Sequence, residues 1–245
     1  MKVKLLSHSP DPLRSVYVAF RTCYSQKSPD ELWEESGRVS RDKMVSFIEK
    51  YAQVGHTSPF EQVWFEFAVS GISRALSHQL VRHRVGVSFE QQSQRYVKLG
   101  NDAEFVVPPS VSSNQEALEV YTKCLDDVRL AYDKLVELGV PPEDARYILP
   151  NATPTNIKLT INMTALMHMC DIRLCTRAQW EFRKLASLMR AEVNKVEPVL
   201  GRMLGIKCLP NRRGYCDETY ESYLACPLSR VRPHKRDIIG LSEAM

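Results

Sequence analysis

The sequence predicts an α+β fold in which a mixed sheet packs with long helices. Short apolar runs with a period of two predict strands, and longer runs with apolar residues three and four positions apart predict helices. The two kinds of element do not alternate regularly along the chain, which argues against a doubly wound sheet. No GxGxxG turn follows a strand and no GxxxxGK[ST] loop is present, so the fold is expected to lack a Rossmann motif.

Three segments have the clearest strand pattern. Residues 2–7 form a short run, Val63, Phe65 and Phe67 alternate with less apolar neighbours, and Ile157, Leu159 and Ile161 repeat that alternation. A weaker apolar run at residues 105–107 precedes two prolines and is interpreted as an edge strand.

Helices are expected where apolar residues recur with helical spacing between capping residues and breakers. Ser40 can cap one helix, and Gly139 can end the longest one. One expected helix begins at Pro10, a second runs from Ser40 to Gly55, and a third begins near Ile72. Three more cover residues 113–138, 142–149 and 164–200, and the last of these has a break near Cys175.

The composition is that of an ordinary globular protein. The 245 residues are 44% hydrophobic and 25% charged, and the net charge is +4, which is too small for a bulk nucleic-acid binder. No apolar run reaches the roughly 18 residues of a membrane span, and the N-terminus does not resemble a signal peptide. We expect a cytoplasmic protein that binds neither membrane nor nucleic acid.

The seven cysteines have no tight repeated spacing and are expected to be free thiols in a reducing compartment. A zinc site built from Cys208, Cys216, Cys226 and His234 is conceivable. Its spacings of seven, nine and seven intervening residues match no common structural zinc pattern. We therefore expect no metal.

One polar stretch, residues 79–96, has an unusual density of hydrogen-bond donors. It contains three arginines, one histidine, two serines and four glutamines. Arginine forks suit phosphate and carbonyl groups, so this stretch predicts nucleotide recognition. Arg82, His83 and Arg84 are consecutive and cannot all face one ligand from one helix face, which places them at a helix end.

Other polar residues allow two interpretations each. His56 lies in a Gly/Ser/Pro loop, where it either caps a backbone group or contacts a ligand. Ser93 is a candidate nucleophile, but no GxSxG elbow surrounds it, so a hydrogen-bonding role is favoured. Arg146 pairs either with Glu143 or with a ligand.

Arg173 and Arg177 are four residues apart in a predicted helical region. If one helix continued through both, they would share a face and repel each other without an anion.

Four motifs together resemble the flavin-dependent thymidylate synthases. An Arg-His-Arg triplet at 82–84 is followed by Ser-Gln-Arg-Tyr at 93–96. The other three, in the order typical of the family, are Gly55-His56-x-x-Pro59-Phe60-Glu61, Ala145-Arg146-x-x-Leu149-Pro150, and Arg173 ahead of Ala178-Gln179-Trp180-Glu181. The resemblance covers about residues 1–205 as one domain and leaves 206–245 as a C-terminal extension of unknown role.

The resemblance implies two ligand sites in a homotetramer whose active sites are shared between subunits. The residues implied for FAD are His56, Ser58, Arg82, His83, Arg84, Glu90, Asn162, His168 and Arg177. The residues implied for dUMP are Gln79, Arg82, Gln91, Ser93, Arg95, Arg146 and Arg173.

The implied reaction converts dUMP to dTMP, with methylenetetrahydrofolate as the carbon donor and NADPH as the reductant of FAD. Ordinary thymidylate synthases use a cysteine followed by histidine, and this sequence contains no such pair. Arg173 would instead be catalytic by polarising a pyrimidine carbonyl, since preorganised donors stabilise developing negative charge. Arg95 and Arg146 would hold the phosphate.

Three positions differ from the usual form of the family motifs. Eight residues separate Arg84 from Ser93, which places one extra residue at 85–87, where Gly86 tolerates positive φ. Glu90 stands where the family often has asparagine or serine. Arg177 stands where histidine is a common alternative.

Two alternative functions remain open at this stage. A relative that also methylates UMP would have the same motifs. A single-strand nucleic-acid binder would use scattered cations, namely Arg82, Arg84, Arg95, Arg212, Arg213 and the basic tail at 230–236.

Overall fold

A computed structural model describes residues 1–100, 103–210 and 212–242. Its sheet has four strands in the order β1-β2-β4-β3. The strands are Lys2–His8 (β1), Trp64–Ser73 (β2), Val87–Gln91 (β3) and Pro154–Asn162 (β4). Helices occupy most of the remaining described chain, so the α+β fold class predicted from the sequence is confirmed.

Helices occupy all of the predicted helical segments, but the helices at 29–36, 109–112, 220–224 and 235–242 were not predicted. The helix bounds are Pro12–Cys23 (α1), Pro29–Ser36 (α2), Arg41–Gln53 (α3), Arg74–Leu80 (α4), Pro109–Ser112 (α5), Gln115–Glu137 (α6), Pro142–Ala145 (α7), Met163–Arg173 (α8), Trp180–Val196 (α9), Pro198–Met203 (α10), Tyr220–Leu224 (α11) and Lys235–Ser242 (α12). Two short 3₁₀ helices span Ser58–Gln62 and Arg146–Ile148.

The chain groups into two compact units, and the elements of each are described separately. The first unit comprises Met1–Lys2, Ala68–Arg82 and Phe89–Leu159. The second comprises Val3–Phe67, His83–Ser88 and Thr160–Met245, of which residues 211 and 243–245 lie outside the described part. The same four residues belong to the extension expected at 206–245.

The second unit has an aromatic core under α1 and α3. Phe20, Ile48 and Phe60 are fully buried there, and the rings of Phe20 and Phe60 meet edge to face with centroids 5.5 Å apart. Phe182 and Leu185 extend the buried face along α9. Full burial of side chains of this size stabilises the fold by about 1.5–3 kcal/mol each. Phe20 and Ile48 lie on predicted helical stripes, whereas Phe60 lies in a segment predicted to be a loop.

The first unit buries the end of β2 and the inner face of α4. Ile72, Leu76 and Leu80 are fully buried, since they lie on one stripe that passes from the strand into the helix. The long helix α6 contributes much less to the interior. In its 23 residues only Leu125 and Tyr132 are buried, so most of its surface faces solvent.

Two strand predictions need correction. Residues 105–107 do not form an edge strand; Val106 N donates a single backbone bond to Ala152 O at 2.9 Å, and the segment is otherwise irregular. The strand Val87–Gln91 lies inside the donor-rich stretch and was missed. Its polar ligand-type residues obscured the short alternation of half-buried and exposed positions that is visible in the structure.

The predicted breaks are confirmed. Helix α8 ends at Arg173 and α9 begins at Trp180, so Arg173 and Arg177 do not share a helix face and the predicted repulsion does not arise. Gly55 and Gly139 have φ values of 84° and 85° where α3 and α6 end, a conformation in which glycine has no Cβ penalty.

All seven cysteines are free thiols, as expected. Among the described residues, no helix combines the length and the apolar character that crossing a bilayer requires.

Candidate active site

The Arg-His-Arg triplet lies just beyond the end of a helix, as its spacing predicted. Helix α4 ends at Leu80, and Arg82 N donates to Gln79 O in the turn that follows, at 3.4 Å. Arg82 and Arg84 are exposed, whereas His83 is half-buried. The three consecutive side chains therefore reach different surroundings.

Gly86 and Asn162 lock the second half of this loop. Asn162 N donates to Gly86 O at 2.9 Å, and Asn162 Oδ1 accepts from Ala165 N at 2.8 Å, which caps α8. Gly86 has φ 70°, and a Cβ added to it would lie 2.6 Å from Asn162 Nδ2. Only glycine satisfies both the backbone angle and the close approach.

Arg173 is held by His83 and Phe182. Its Nε donates to His83 Nε2 at 3.3 Å, and its guanidinium lies 4.4 Å from the centroid of the Phe182 ring. Phe182 is fully buried, and the His83 ring meets its edge at a centroid distance of 5.6 Å. The arginine at the end of α8 is therefore oriented from two sides.

The protonation state of His83 follows from its surroundings. Burial, the positive charge of Arg173 and the nearby His168 lower the pKa of His83 to about 4. Burial also lowers the pKa of Arg173. Near neutral pH, His83 is uncharged and accepts the hydrogen bond from Arg173 Nε. Arg173 is therefore a half-buried cation suited to an electron-rich ligand.

His56 takes part in an aromatic cluster. Its Nδ1 lies 3.0 Å from the Tyr24 hydroxyl, and its ring meets Phe20 edge to face at 5.3 Å. Tyr24 stacks on Tyr51 with centroids 4.5 Å apart. The hydrogen bond of this histidine thus runs to a tyrosine hydroxyl rather than to the backbone group that the sequence left open.

The residues that the family resemblance assigns to FAD divide unevenly between the units. Arg82 and Glu90 belong to the first unit, and both are exposed. The remaining seven belong to the second unit; they are His56, Ser58, His83, Arg84, Asn162, His168 and Arg177. Within it, the rings of His83 and His168 are 6.3 Å apart.

The residues assigned to dUMP belong to the first unit, with the exception of Arg173. Gln91 Nε2 donates to Ser77 Oγ at 3.1 Å and to Thr155 Oγ1 at 3.3 Å, which fixes its amide. Ser93 Oγ accepts from Arg95 N at 3.1 Å. Here the serine oxygen accepts within its own turn, so the role as a donor to a ligand, favoured from the sequence, stays a prediction.

Glu143 contacts both of the arginines expected to hold phosphate. Its Oε2 lies 2.5 Å from Arg95 Nε, and its backbone carbonyl accepts from Arg146 Nε at 3.0 Å. Glu143 is a partner of Arg146, as the sequence allowed, but through its backbone carbonyl and not through its carboxylate. The carboxylate pairs with Arg95, which is distant in sequence.

A polar cavity of about 350 Å³ lies beside Arg146. Arg74 lines it and donates from Nη2 to Gln92 O at 3.0 Å, while its buried Nε has no partner. Burial and the charge of Arg146 lower the pKa of Arg74. Two cations facing one cavity favour an anionic guest.

Arg74 was missed from the sequence, although a signal was present. It follows the capping residue Ser73 and occupies the first turn of α4, where a cation opposes the helix dipole. An arginine at such a position has an unfavourable interaction with the helix that an anion can offset.

The sequence comparisons decide the family. The sequence model described as "Thymidylate synthase complementing protein" matches residues 4–199. The chain belongs to the flavin-dependent thymidylate synthase family. This confirms the resemblance drawn from the four motifs, and with it a flavin-dependent enzyme.

Several relatives named flavin-dependent thymidylate synthase align over nearly their whole length. That of Geobacter sulfurreducens is 44% identical, and that of Nitratidesulfovibrio vulgaris is 42% identical; each alignment covers 89% of this chain and 91% of the relative. That of Pyrococcus horikoshii is 36% identical over 98% of both chains.

A solved structure has a similar fold. It is the crystal structure of the UMP/dUMP methylase PolB from Streptomyces cacaoi bound with 5-Br dUMP. The TM-score is 0.70 at 25% identity, and the match covers 82% of this chain and 93% of that one.

The donors of the second unit fit a flavin. A neutral His83 and the amide of Asn162 are hydrogen-bonding groups of the kinds that suit a planar heterocycle with carbonyl oxygens. Exposed Arg84 and Arg177 belong to the same unit and are suited to an anionic diphosphate.

Proposed function

We propose that this enzyme converts dUMP to dTMP, with methylenetetrahydrofolate as carbon donor and NADPH as reductant of the flavin. The observation that carries the proposal is the fixed guanidinium of Arg173, oriented by neutral His83 and the Phe182 ring. A preorganised cation at a developing oxyanion is the kind of group that this reaction requires when no cysteine attacks the base.

FAD would be held by the nine residues that the family motifs indicate. When bound and reduced, FAD supplies the hydride that completes the methyl group. Among the chain's own residues, His83 presents its unprotonated Nε2 to Arg173, so the ring acts as a positioning group. Asn162 holds the 82–86 loop against the start of α8.

The phosphate of dUMP would bind among the arginines of the first unit. Arg74 and Arg146 line the same polar cavity, and the Nε of Arg74 is buried without a hydrogen-bond partner. Arg95 would reach the phosphate from Ser93-Gln94-Arg95-Tyr96. We therefore add Arg74 to the substrate residues, alongside Gln79, Arg82, Gln91, Ser93, Arg95, Arg146 and Arg173.

Arg173 would act on the pyrimidine. Its Nε is occupied by His83, which leaves the two terminal nitrogens of the guanidinium to donate to a carbonyl oxygen. Negative charge on this oxygen in the activated pyrimidine, before its C5 attacks the methylene carbon, would be stabilised by the cation. Half-burial strengthens this effect because water screens it less.

We propose further that the active enzyme is a cytoplasmic homotetramer with shared active sites. Residues 206–245 would form an extension to the catalytic part of the chain. This organisation is inferred from the family, and the oligomeric state can be measured by light scattering.

A second candidate reaction is the methylation of UMP. The structural neighbour's description as a UMP/dUMP methylase favours this candidate, since its fold is similar to that of this chain. Comparing turnover of dUMP and UMP at equal concentrations decides whether the ribose 2′ position is screened.

The ion pairs of the basic residues argue against a nucleic-acid function. Arg212 pairs with Asp171, and Arg213 pairs with Asp217. These arginines are partly neutralised, whereas a single-strand binder needs cations available to phosphates.

The decisive experiment combines a spectrum with an assay. Purified protein should show the visible absorbance of bound flavin and should form dTMP from dUMP, methylenetetrahydrofolate and NADPH. Omitting each component in turn should abolish product formation. Protein that binds no flavin and forms no dTMP would refute the proposal.

A further inference from the structure

Glu143 has a position that the proposed reaction does not explain. It is the acidic residue in the first turn of α7 that touches both Arg95 and Arg146. Its carboxylate is directed at a cation that the substrate phosphate would need. A carboxylate at that place opposes phosphate binding unless it moves aside.

The two contacts of Glu143 are chemically separate. The contact with Arg146 uses the backbone carbonyl, which any residue provides. The contact with Arg95 uses the side-chain carboxylate. A change of side chain at 143 therefore alters the charge next to Arg95 while leaving the acceptor for Arg146 in place.

The ion pair is accessible enough to exchange. The Arg95 side chain is 55% exposed and that of Glu143 is 43% exposed. Exposed pairs of this kind are weak, because water competes for both partners. A phosphate dianion that also contacts Arg74 and Arg146 can replace the carboxylate, since it offers more oxygen acceptors and more charge.

We infer that Glu143 sets the affinity of the site for the nucleotide phosphate by occupying Arg95 until the phosphate displaces it. This rests on the proposed function, since it takes the phosphate of dUMP as the competing anion. In the absence of ligand, the carboxylate partly neutralises the positive charge of the cluster formed by Arg74, Arg95 and Arg146. It also weakens the binding of any anion that offers too few contacts to replace it.

The test is the affinity of the flavin-loaded enzyme for dUMP, for deoxyuridine and for inorganic phosphate, measured by titration calorimetry. Glu143→Gln should tighten dUMP and phosphate binding about two- to five-fold, the range expected from an exposed ion pair. Deoxyuridine binding should not change, because it lacks the phosphate. The gain should shrink at high salt, which screens exposed charges.

Asp144→Asn is the matched control, since it removes a neighbouring exposed charge that is also in the first turn of α7. Its effect should be clearly smaller. In an Arg95→Ala background, Glu143→Gln should have no effect, because the inferred competition acts through Arg95.

The outcomes separate this inference from the proposed function. Unchanged or weaker phosphate binding in Glu143→Gln, or an equal gain in Asp144→Asn, would overturn the role of Glu143 and leave dUMP methylation standing. If the wild type bound phosphate but not dUMP, the proposed function would fail, and the phosphate titration would still test Glu143.

Discussion

Arg173 donates from Nε to Nε2 of His83, and this 3.3 Å contact links the orientation of the arginine to the protonation of the histidine. A guanidinium has only donors, so Nε2 must keep its lone pair for the contact to exist. The same Phe182 ring lies against both side chains. His83 and Phe182 together hold the Arg173 cation with little freedom of movement.

Replacing Arg173 tests its role on the nucleotide. Arg173→Ala should lower dTMP formation by about 10²–10³-fold, the effect typical of losing one preorganised donor. The flavin spectrum should persist, because the proposed role concerns the pyrimidine. Arg38→Ala, at an exposed arginine, is the control and should retain activity. Unchanged turnover in Arg173→Ala would show that the catalytic role lies elsewhere.

The stability of the fold should depend on pH through His83. Its pKa is about 4 in the folded chain and 6.5 as the ordinary value, so between these values the unfolded chain binds a proton that the folded chain does not. The contribution of His83 to the free energy of unfolding therefore falls as the pH drops from 6.5 towards 4, and this contribution is fully present above pH 6.5.

Urea unfolding at pH 7 and pH 4.5 measures this contribution. His83→Asn should lose less stability between the two pH values than the wild type does. His8→Asn retains the His83–Arg173 contact and should behave like the wild type. Equal losses in wild type and His83→Asn would contradict the assignment of the low pKa.

Gly86 should not tolerate a side chain. Gly86→Ala combines a φ of 70° with a Cβ 2.6 Å from the Asn162 side chain, so it should destabilise the protein and weaken flavin retention. Gly139→Ala is a close control, because its φ is 85° and nothing lies within 4 Å of the added Cβ. The difference in unfolding free energy should be about 1–3 kcal/mol, the range for overpacking. Equal destabilisation of the two variants would show that Asn162 moves aside freely.

Tyr24 should influence FAD binding through His56. Tyr24→Phe removes the hydroxyl that lies 3.0 Å from His56 Nδ1 and keeps the ring that stacks on Tyr51. The histidine would lose the partner that fixes its tautomer, so the affinity of the apoprotein for FAD should fall several-fold, in line with a hydrogen bond of about 0.5–1.5 kcal/mol. Fluorescence quenching of FAD measures this. Tyr147→Phe, at a tyrosine that is 84% exposed, should leave the affinity unchanged, and no change in Tyr24→Phe would exclude the effect.

The periodicity of apolar residues along the sequence was sufficient to predict most of the fold. Ile157, Leu159 and Ile161 are 2%, 1% and 0% exposed in β4, because a buried strand face requires an apolar residue at every second position. The break between α8 and α9 was also visible, since polar residues interrupt the apolar stripe there. The 87–91 strand was hidden because it is short and lies inside the donor-rich stretch, which was interpreted as a binding loop.

The contacts that define the candidate site could not be obtained in the same way. Arg95 and Glu143 are 48 residues apart, and Tyr24 and His56 are 32 apart, so no periodicity links either pair. Sequence motifs named one partner of each pair. The other partner depends on tertiary packing, as does the orientation of Arg74 into its cavity.

The close approach of Gly86 to Asn162 also constrains how this chain can change over evolutionary time. Asn162 holds the loop through its backbone N–H, and its side chain both caps α8 and lies against Gly86, so neither position can change alone. Among homologues that share the longer loop, a residue with a Cβ at position 86 should occur together with a smaller residue at 162 and a different cap for the helix. The two sites should therefore substitute as a pair, and insertions within 82–86 should be seen only where that pair has also changed.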